Sequence, residues 1–182
     1  MTAFVALLRA VNVAGNNLVP MAALKAMALE LGLAKPRTLL QSGNLVFDCD
    51  GIPAADLEAR LARTIAAELN VTTDVIVRTA AQWQTAIESN PLAAVAATDP
   101  AHLLMVCCQG DIAQQRVVAM MAAIKGRETV RAVGRQLYVA YPDGIGHSKL
   151  TAAVIDRHIG SPGTGRNWKT VLKISRALNG EK

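Results

Sequence analysis

The strongest constraint on the fold is the order in which strand-like and helix-like apolar patterns alternate along the chain. Residues 3–9 form a short run that is apolar at every position before Arg9, which predicts a strand that is buried on both faces. Helical spacing of apolar residues follows Pro20 and Pro53, a hairpin pattern surrounds residues 42–44, and residues 75–78 form another strand pattern. The order β-α-β-β-α-β predicts a ferredoxin-like module.

The second half of the chain repeats this order with different residues. A strand pattern at residues 102–108 precedes a helix that Asp111 is placed to cap, and a hairpin pattern follows. Ser148 is placed to cap the next helix, glycine-rich residues 160–165 predict a loop, and a last helix is expected over about residues 166–178. Because a helix stands where the closing strand would be, the pattern predicts an incomplete β-α-β-β-α-α module.

Length and composition agree with an α+β protein built from two small modules. The chain has 182 residues, of which 52% are hydrophobic and 18% charged, and these values exclude intrinsic disorder. We predict a ferredoxin-like module at residues 1–91 and a smaller module with basic C-terminal helices at residues 101–182. Residues 92–100 are rich in alanine and bounded by prolines, which predicts a linker.

Cysteine usage and hydropathy indicate the compartment. Cys49, Cys107 and Cys108 are odd in number and two are adjacent in an apolar run, which predicts buried reduced thiols in the cytoplasm. The histidines show no metal-ligand spacing, so we expect neither a metal nor another cofactor. Residues 1–8 lack a basic n-region and the longest uncharged run, residues 10–24, is polar in part, so we expect no signal peptide and no membrane association.

Charge is distributed unevenly along the chain. The formal net charge is +5, and residues 147–182 hold seven Lys and Arg against two acidic residues, so this segment accounts for the whole excess. A basic segment attracts phosphates, nucleic acid or anionic surfaces, although a solvated helical face has the same composition.

A glycine-rich segment within this region resembles part of a phosphate-binding loop. Residues 160–167, Gly-Ser-Pro-Gly-Thr-Gly-Arg-Asn, place Arg166 and Asn167 where a Walker A loop has Lys and Ser or Thr, so the sequence disfavours a nucleoside triphosphatase. A helix that begins near Arg166 offers free N–H groups, and Lys169 adds charge beside them, which predicts an anion site. A helix start with a structural arginine is the alternative.

Candidate ligand-binding residues therefore come from the basic segment and from two polar loops that follow or join early strands. They are Arg9, Asn12, Ser42, Asn44, Lys149, Arg166, Asn167 and Lys169. Trp168 lies at helical spacing from Val171 and Leu172, which favours a core anchor over a base-stacking platform.

Three stretches of the chain resemble one bacterial family. They are ALLRAVNV at residues 6–13 with VPMAAL at 19–24, LQSGNLVF at 40–47, and SKLT at 148–151 with TGRNWKTV at 164–171. The chain resembles the uncharacterised family known as domain of unknown function 1697, apart from Gly165, where that family more often has alanine. The resemblance implies an α+β fold with a ferredoxin-like part and carries no established activity.

Two classes of function follow from these patterns, and a third stays open. The first is a binding module for a nucleotide, another phosphate-bearing small molecule or nucleic acid. The second is a small-molecule enzyme with a pocket between the two modules, whose polar groups would be Tyr138 or Tyr141, His147, Ser42 and Asn44. The third is a protein-interaction module. An RNA-recognition module shares the element order, but its basic and aromatic signature is missing.

Overall fold

Two antiparallel sheets of four strands organise the chain, for which the computed structural model describes residues 1–181. In the first half the elements are β1 (Thr2–Leu8), α1 (Met21–Glu30), β2 (Ala34–Leu39), β3 (Asn44–Cys49), α2 (Ala54–Leu69), β4 (Val75–Thr79) and α3 (Ala80–Glu88). The strand order β2-β3-β1-β4, with all neighbours antiparallel, is the ferredoxin-like arrangement that the sequence predicts.

The first core forms because β1 has apolar side chains on both faces. Phe4, Ala6 and Leu8 point to the face on which α1 and α2 pack, and all three are buried. Val5 and Leu7 point to the opposite face and are completely buried as well. The predicted burial of this strand on both sides is confirmed.

The second half contains a short helix followed by the same order of strands and helices. The elements are α4 (Ala93–Thr98), β5 (Leu103–Cys108), α5 (Gln114–Ala123), β6 (Thr129–Val133), β7 (Gln136–Ala140), a 3₁₀ turn (Ile145–His147), α6 (Ala152–Ile159), β8 (Gly163–Asn167) and α7 (Trp168–Leu178). The strand order is β6-β7-β5-β8. Its core lies between this sheet and helices α5 and α6.

The second module is therefore complete, and the prediction of an incomplete one is wrong. Residues 163–167 close the sheet as β8, although glycine is usually depleted in strands. The glycines are explained by close packing against β5. A Cβ atom on Gly163 would lie 2.9 Å from Cγ1 of Val106, and one on Gly165 would lie 2.8 Å from Cδ2 of Leu104.

Three helix starts also differ from the prediction. Helix α5 begins after Ala113 without a side-chain cap, so Asp111 does not cap it. Helix α6 is capped by Thr151, whose Oγ1 accepts a hydrogen bond from the Val154 N–H, and not by Ser148. Helix α7 begins at Trp168, because the two preceding residues belong to β8.

The chain divides into two compact units, Met1–Gln84 with Ile174–Lys182 and Thr85–Lys173. Helices α3 and α7 each contribute residues to both units. The segment predicted as a linker contains α4, and the proposed domain boundary there stays a prediction. Within residues 1–181, no helix has both the length and the apolar character that crossing a bilayer requires.

Candidate ligand-binding cavity in the second unit

Two of the predicted binding residues in the first unit hold loops in place. The Arg9 guanidinium lies 3.3 Å from a carboxylate oxygen of Asp74. The side-chain amide of Asn12 donates to the carbonyl oxygens of Val19 and Gln41, at 3.0 and 2.8 Å, and its Oδ1 accepts from the Val19 N–H. Asn12 therefore ties the loop after β1 to the tip of the β2–β3 hairpin.

Ser42 and Asn44 lie at that same hairpin tip. The Asn44 side chain is completely buried and donates to the Leu39 carbonyl at 2.7 Å and to Ser42 Oγ at 3.0 Å. The structure thus brings Asn12, Ser42 and Asn44 to one end of the first sheet. The amide groups of both asparagines are occupied there by hydrogen bonds within the chain.

The three predicted residues around the start of α7 have different surroundings. Arg166 is buried, and its guanidinium donates to Thr164 Oγ1 at 2.8 Å and to the Gly165 carbonyl at 2.9 Å. Burial lowers the pKa of Arg166 to about 10, which leaves the side chain charged at neutral pH. Asn167 Oδ1 accepts from the Lys169 N–H at 2.9 Å and so caps the helix, while the Lys169 side chain is exposed.

Lys149, the remaining predicted residue, lines a cavity of about 510 Å³ inside the second unit. The cavity is built by the end of α5, the segment that joins α5 to β6, the segment that follows β7, and α6. Neither Arg166, Asn167 nor Lys169 lines it. The basic residues that the sequence groups together therefore do not share this cavity.

The floor of the cavity is apolar because it is the edge of the second core. Met120 on α5 and Val154 on α6 line it, and Ile124 and Leu150 contribute further apolar surface. Tyr141 contributes its ring, and its hydroxyl donates to the Leu150 carbonyl at 3.0 Å. Burial raises the pKa of Tyr141 to about 12, and the negative charge of Glu128 adds to this effect.

Glu128 is the one acidic cavity residue whose carboxylate is held by a neutral side chain. Ser148 donates its hydroxyl hydrogen to Glu128 Oε1, and Ser148 Oγ accepts from the Leu150 N–H at 3.0 Å. Glu128 Oε2 is buried and has no hydrogen-bond partner among the described residues. An unsatisfied buried acceptor of this kind costs about 1–3 kcal/mol.

The rim of the cavity is basic. Lys125 and Lys149 are exposed there and form no ion pair among residues 1–181. Asp143 is an acidic rim residue, and the Arg127 guanidinium binds its carboxylate. This hydrogen bond lowers the pKa of Asp143, and the ion pair neutralises its charge. His147 also lies at the rim.

The first unit has a more open depression of about 610 Å³ beside β2. Two of its three basic residues are engaged with protein groups, and the third is Lys25. The Arg37 guanidinium donates to the Ala177 carbonyl, and the Lys35 ammonium lies 3.6 Å from the Asp48 carboxylate. The cavity of the second unit, which has free cations and an unsatisfied carboxylate, is therefore the better candidate site. No group of three or more metal-ligating side chains occurs within the part of the chain that the structure describes.

Sequence reasoning identified part of this cavity. Tyr141 and His147 line it, and both were polar candidates for the enzyme alternative. Glu128, Lys125 and His158 were missed. Lys125 and Glu128 lie in the segment that joins α5 to β6, and His158 lies on α6, so only the folded chain shows that they share one cavity.

The family model described as "Protein of unknown function (DUF1697)" matches residues 1–138. The chain belongs to the DUF1697 family. This confirms the resemblance carried by the first two motif stretches, while the stretches at residues 148–151 and 164–171 lie beyond the match. The match also ends before Tyr141, so much of the cavity wall lies outside it.

A solved structure extends the comparison of this DUF1697 chain to nearly its full length. The conserved bacterial protein SP0830 from Streptococcus pneumoniae is 23% identical, with a TM-score of 0.75, and the alignment covers 97% of this chain and 98% of that one. At this identity the likeness shows the fold alone. No curated protein matches the chain.

Proposed function

We propose that the protein binds a small phosphate-bearing ligand in the cavity of the second unit. The observation that carries this proposal is the combination of a 510 Å³ cavity, an apolar floor and two exposed lysines without ion pairs at its rim. Ligand sites have this general form, with volumes of about 300–1,000 Å³ and a few polar groups on a largely apolar wall. Lysine ammonium groups bind phosphate as point charges.

Burial of the aromatic side chains supports a small ligand over single-stranded nucleic acid. Proteins that bind single strands stack the bases on exposed aromatic rings. The chain has two Trp, two Tyr and two Phe, and each is at most 5% exposed. They are Phe4, Phe47, Trp83, Tyr138, Tyr141 and Trp168. A concave site with charged groups at its rim fits a compact ligand better than a polymer.

The proposal assigns Arg166 a structural role. Its guanidinium is bonded to Thr164 and Gly165 and it does not line the cavity. We therefore expect replacement of Arg166 by alanine to lower the melting temperature without changing the response to phosphate compounds.

The test is a titration of the purified protein with inorganic phosphate, ribose phosphate and adenosine monophosphate, followed by calorimetry. Lys149→Gln should weaken binding of the best of these by about tenfold or more, because a charge-assisted contact contributes about 1.5–3 kcal/mol. Binding should also weaken as the salt concentration rises.

Lys173→Gln is the matched control, because Lys173 is an exposed lysine in the same unit that does not line the cavity. It should leave the affinity within about twofold. Equal effects of the two substitutions, or no binding of any phosphate compound by the wild-type protein, would contradict the proposal.

A further inference from the structure

The two oxygens of the Glu128 carboxylate have unequal surroundings. Oε1 accepts the Ser148 hydroxyl hydrogen, while Oε2 is buried with no partner among residues 1–181. Gly126 permits this position, because a Cβ atom there would clash with Oε2. The carboxylate thus has a partner at one oxygen and none at the other, and this unsatisfied oxygen costs free energy.

A hydrogen-bond donor in the cavity would remove this cost. Glu128 lines the cavity, so a turn of its carboxylate toward that space would allow a ligand to satisfy the oxygen that the protein leaves without a partner. Binding of such a donor is therefore favoured by the unsatisfied state of the free protein.

The surroundings distinguish between an amine donor and a hydroxyl donor. Lys125 and Lys149 line the same cavity, and their positive charge disfavours a ligand ammonium group. A neutral hydroxyl meets no such repulsion. Two adjacent hydroxyls, as in a ribose ring, supply two donors to one carboxylate, which is a recognised use of acidic side chains in nucleotide sites.

We infer that Glu128 accepts hydrogen bonds from the ribose hydroxyls of a bound nucleotide, and that the ligand is a ribonucleotide. This inference rests on the proposed function and adds the class of ligand to it. The phosphate lies toward Lys125 and Lys149 at the rim, and the base lies over the apolar floor near Met120 and Leu150.

The experiment compares ribonucleoside monophosphates with the corresponding deoxyribonucleoside monophosphates by calorimetry. The wild-type protein should bind the best ribonucleotide about ten- to a hundredfold more tightly than its deoxy counterpart, because the lost hydrogen bond involves a charged group. Equal affinities for the two, or no binding of any ribonucleotide, would overturn the inference without any variant being needed.

Glu128→Ala should bring the ratio of the two affinities close to one, and the conservative Glu128→Gln should reduce it several-fold. The control is Glu68→Gln, an exposed glutamate on α2 in the first unit, which should leave the ratio unchanged. A ratio that persists in a folded Glu128→Ala protein would assign the preference to another residue and overturn the inference. A wild-type ratio of one together with weaker phosphate binding by Lys149→Gln would refute the ribose assignment and leave the proposed function standing.

Discussion

The closing strands of the two sheets, β4 and β8, occupy equivalent places but differ in the size of the side chain at one equivalent position. Val77 of β4 lies opposite Ala6 of β1, whereas Gly165 of β8 lies opposite Val106 of β5. The large residue is on the closing strand in the first sheet and on the central strand in the second. Gly165 leaves room for the Leu104 side chain, whose Cδ2 would lie 2.8 Å from a Cβ atom at that position, so close packing outweighs the low strand propensity of glycine.

The registers of the two closing strands also place similar polar residues at equivalent positions. Arg78 lies opposite Val5, and Arg166 lies opposite Met105, one residue before the end of each closing strand. Both arginines are buried. The next residue caps the following helix in each case: Thr79 Oγ1 accepts from the Gln82 N–H at 3.1 Å, and Asn167 has the same role for α7.

Each closing strand is followed by a helix with a buried tryptophan, and removal of one of them should have the largest effect. Trp168 is 4% exposed and its ring lies 6.4 Å from that of Tyr138. Trp168→Ala should lower the free energy of unfolding by about 3–5 kcal/mol because it leaves a cavity. Urea denaturation measures this change. Trp83→Ala should cost a similar amount if the two units are truly equivalent in this respect.

Leu172→Ala on the same helix is the control, because Leu172 is 38% exposed and should cost below about 1 kcal/mol. Similar costs for Trp168→Ala and Leu172→Ala would show that Trp168 does not anchor the second unit.

Alkaline pH should affect the stability of the second unit more than that of the first, because both tyrosines of the chain lie in the second unit. The folded-state pKa of Tyr141 is about 12, against about 10 in the unfolded chain. The unfolded chain therefore loses this proton first as the pH rises, and stability falls between about pH 10 and 12. The full difference corresponds to about 3 kcal/mol at most.

The measurement is chemical denaturation of the wild-type protein and of Tyr141→Phe at about pH 9, 11 and 12. These values span the range in which the phenol loses its proton. Tyr141→Phe is expected to be less stable at pH 9, because it loses the hydrogen bond to Leu150, but less sensitive to alkali. Parallel pH profiles for the two proteins would show that Tyr141 does not carry the effect.

The glycines of β8 should differ from each other when alanine is introduced. The methyl group of Gly163→Ala would meet Val106 Cγ1 at 2.9 Å and Cys108 Sγ at 3.2 Å, inside the core. Crowding of this kind lowers the free energy of unfolding, while alanine stabilises the fold slightly by restricting the unfolded chain. The net loss should be about 1–2 kcal/mol. Gly165→Ala meets the end of the Leu104 side chain, which is partly exposed and can turn, so its cost should be below about 1 kcal/mol. A melting-temperature series measures both, and a larger loss for Gly165→Ala would reverse the explanation.

Much of the fold could be predicted because its elements follow regular periods. The successive apolar residues of β1 and the four-residue spacing of Leu57, Leu61 and Ile65 in α2 are direct consequences of which faces are buried. The burial of Cys107 and Cys108 followed from their apolar strand in the same way. Strand β8 was not predicted, because its glycines are required by bulky residues on β5, about sixty residues earlier in the chain. No local sequence pattern contains that information.

The candidate site was less predictable for a related reason. Lys149 was identified from charge alone, and the same argument selected Arg166, which the fold buries on β8. A count of basic residues cannot distinguish a lysine at a cavity rim from an arginine bonded to its own strand. The importance of Glu128 depends on Ser148 and Gly126, and it becomes visible only when their distances are known.

The hydrogen bond from Arg37 to the Ala177 carbonyl has a consequence for folding during protein synthesis. The two residues belong to the same unit but are 140 positions apart, with the second unit encoded between them. At about 5–20 residues per second, a ribosome needs roughly 7–28 s to travel that distance. During this interval Arg37, on an edge strand of the first sheet, lacks the carbonyl acceptor that α7 provides. A nascent chain therefore completes its first unit only after the second has been translated.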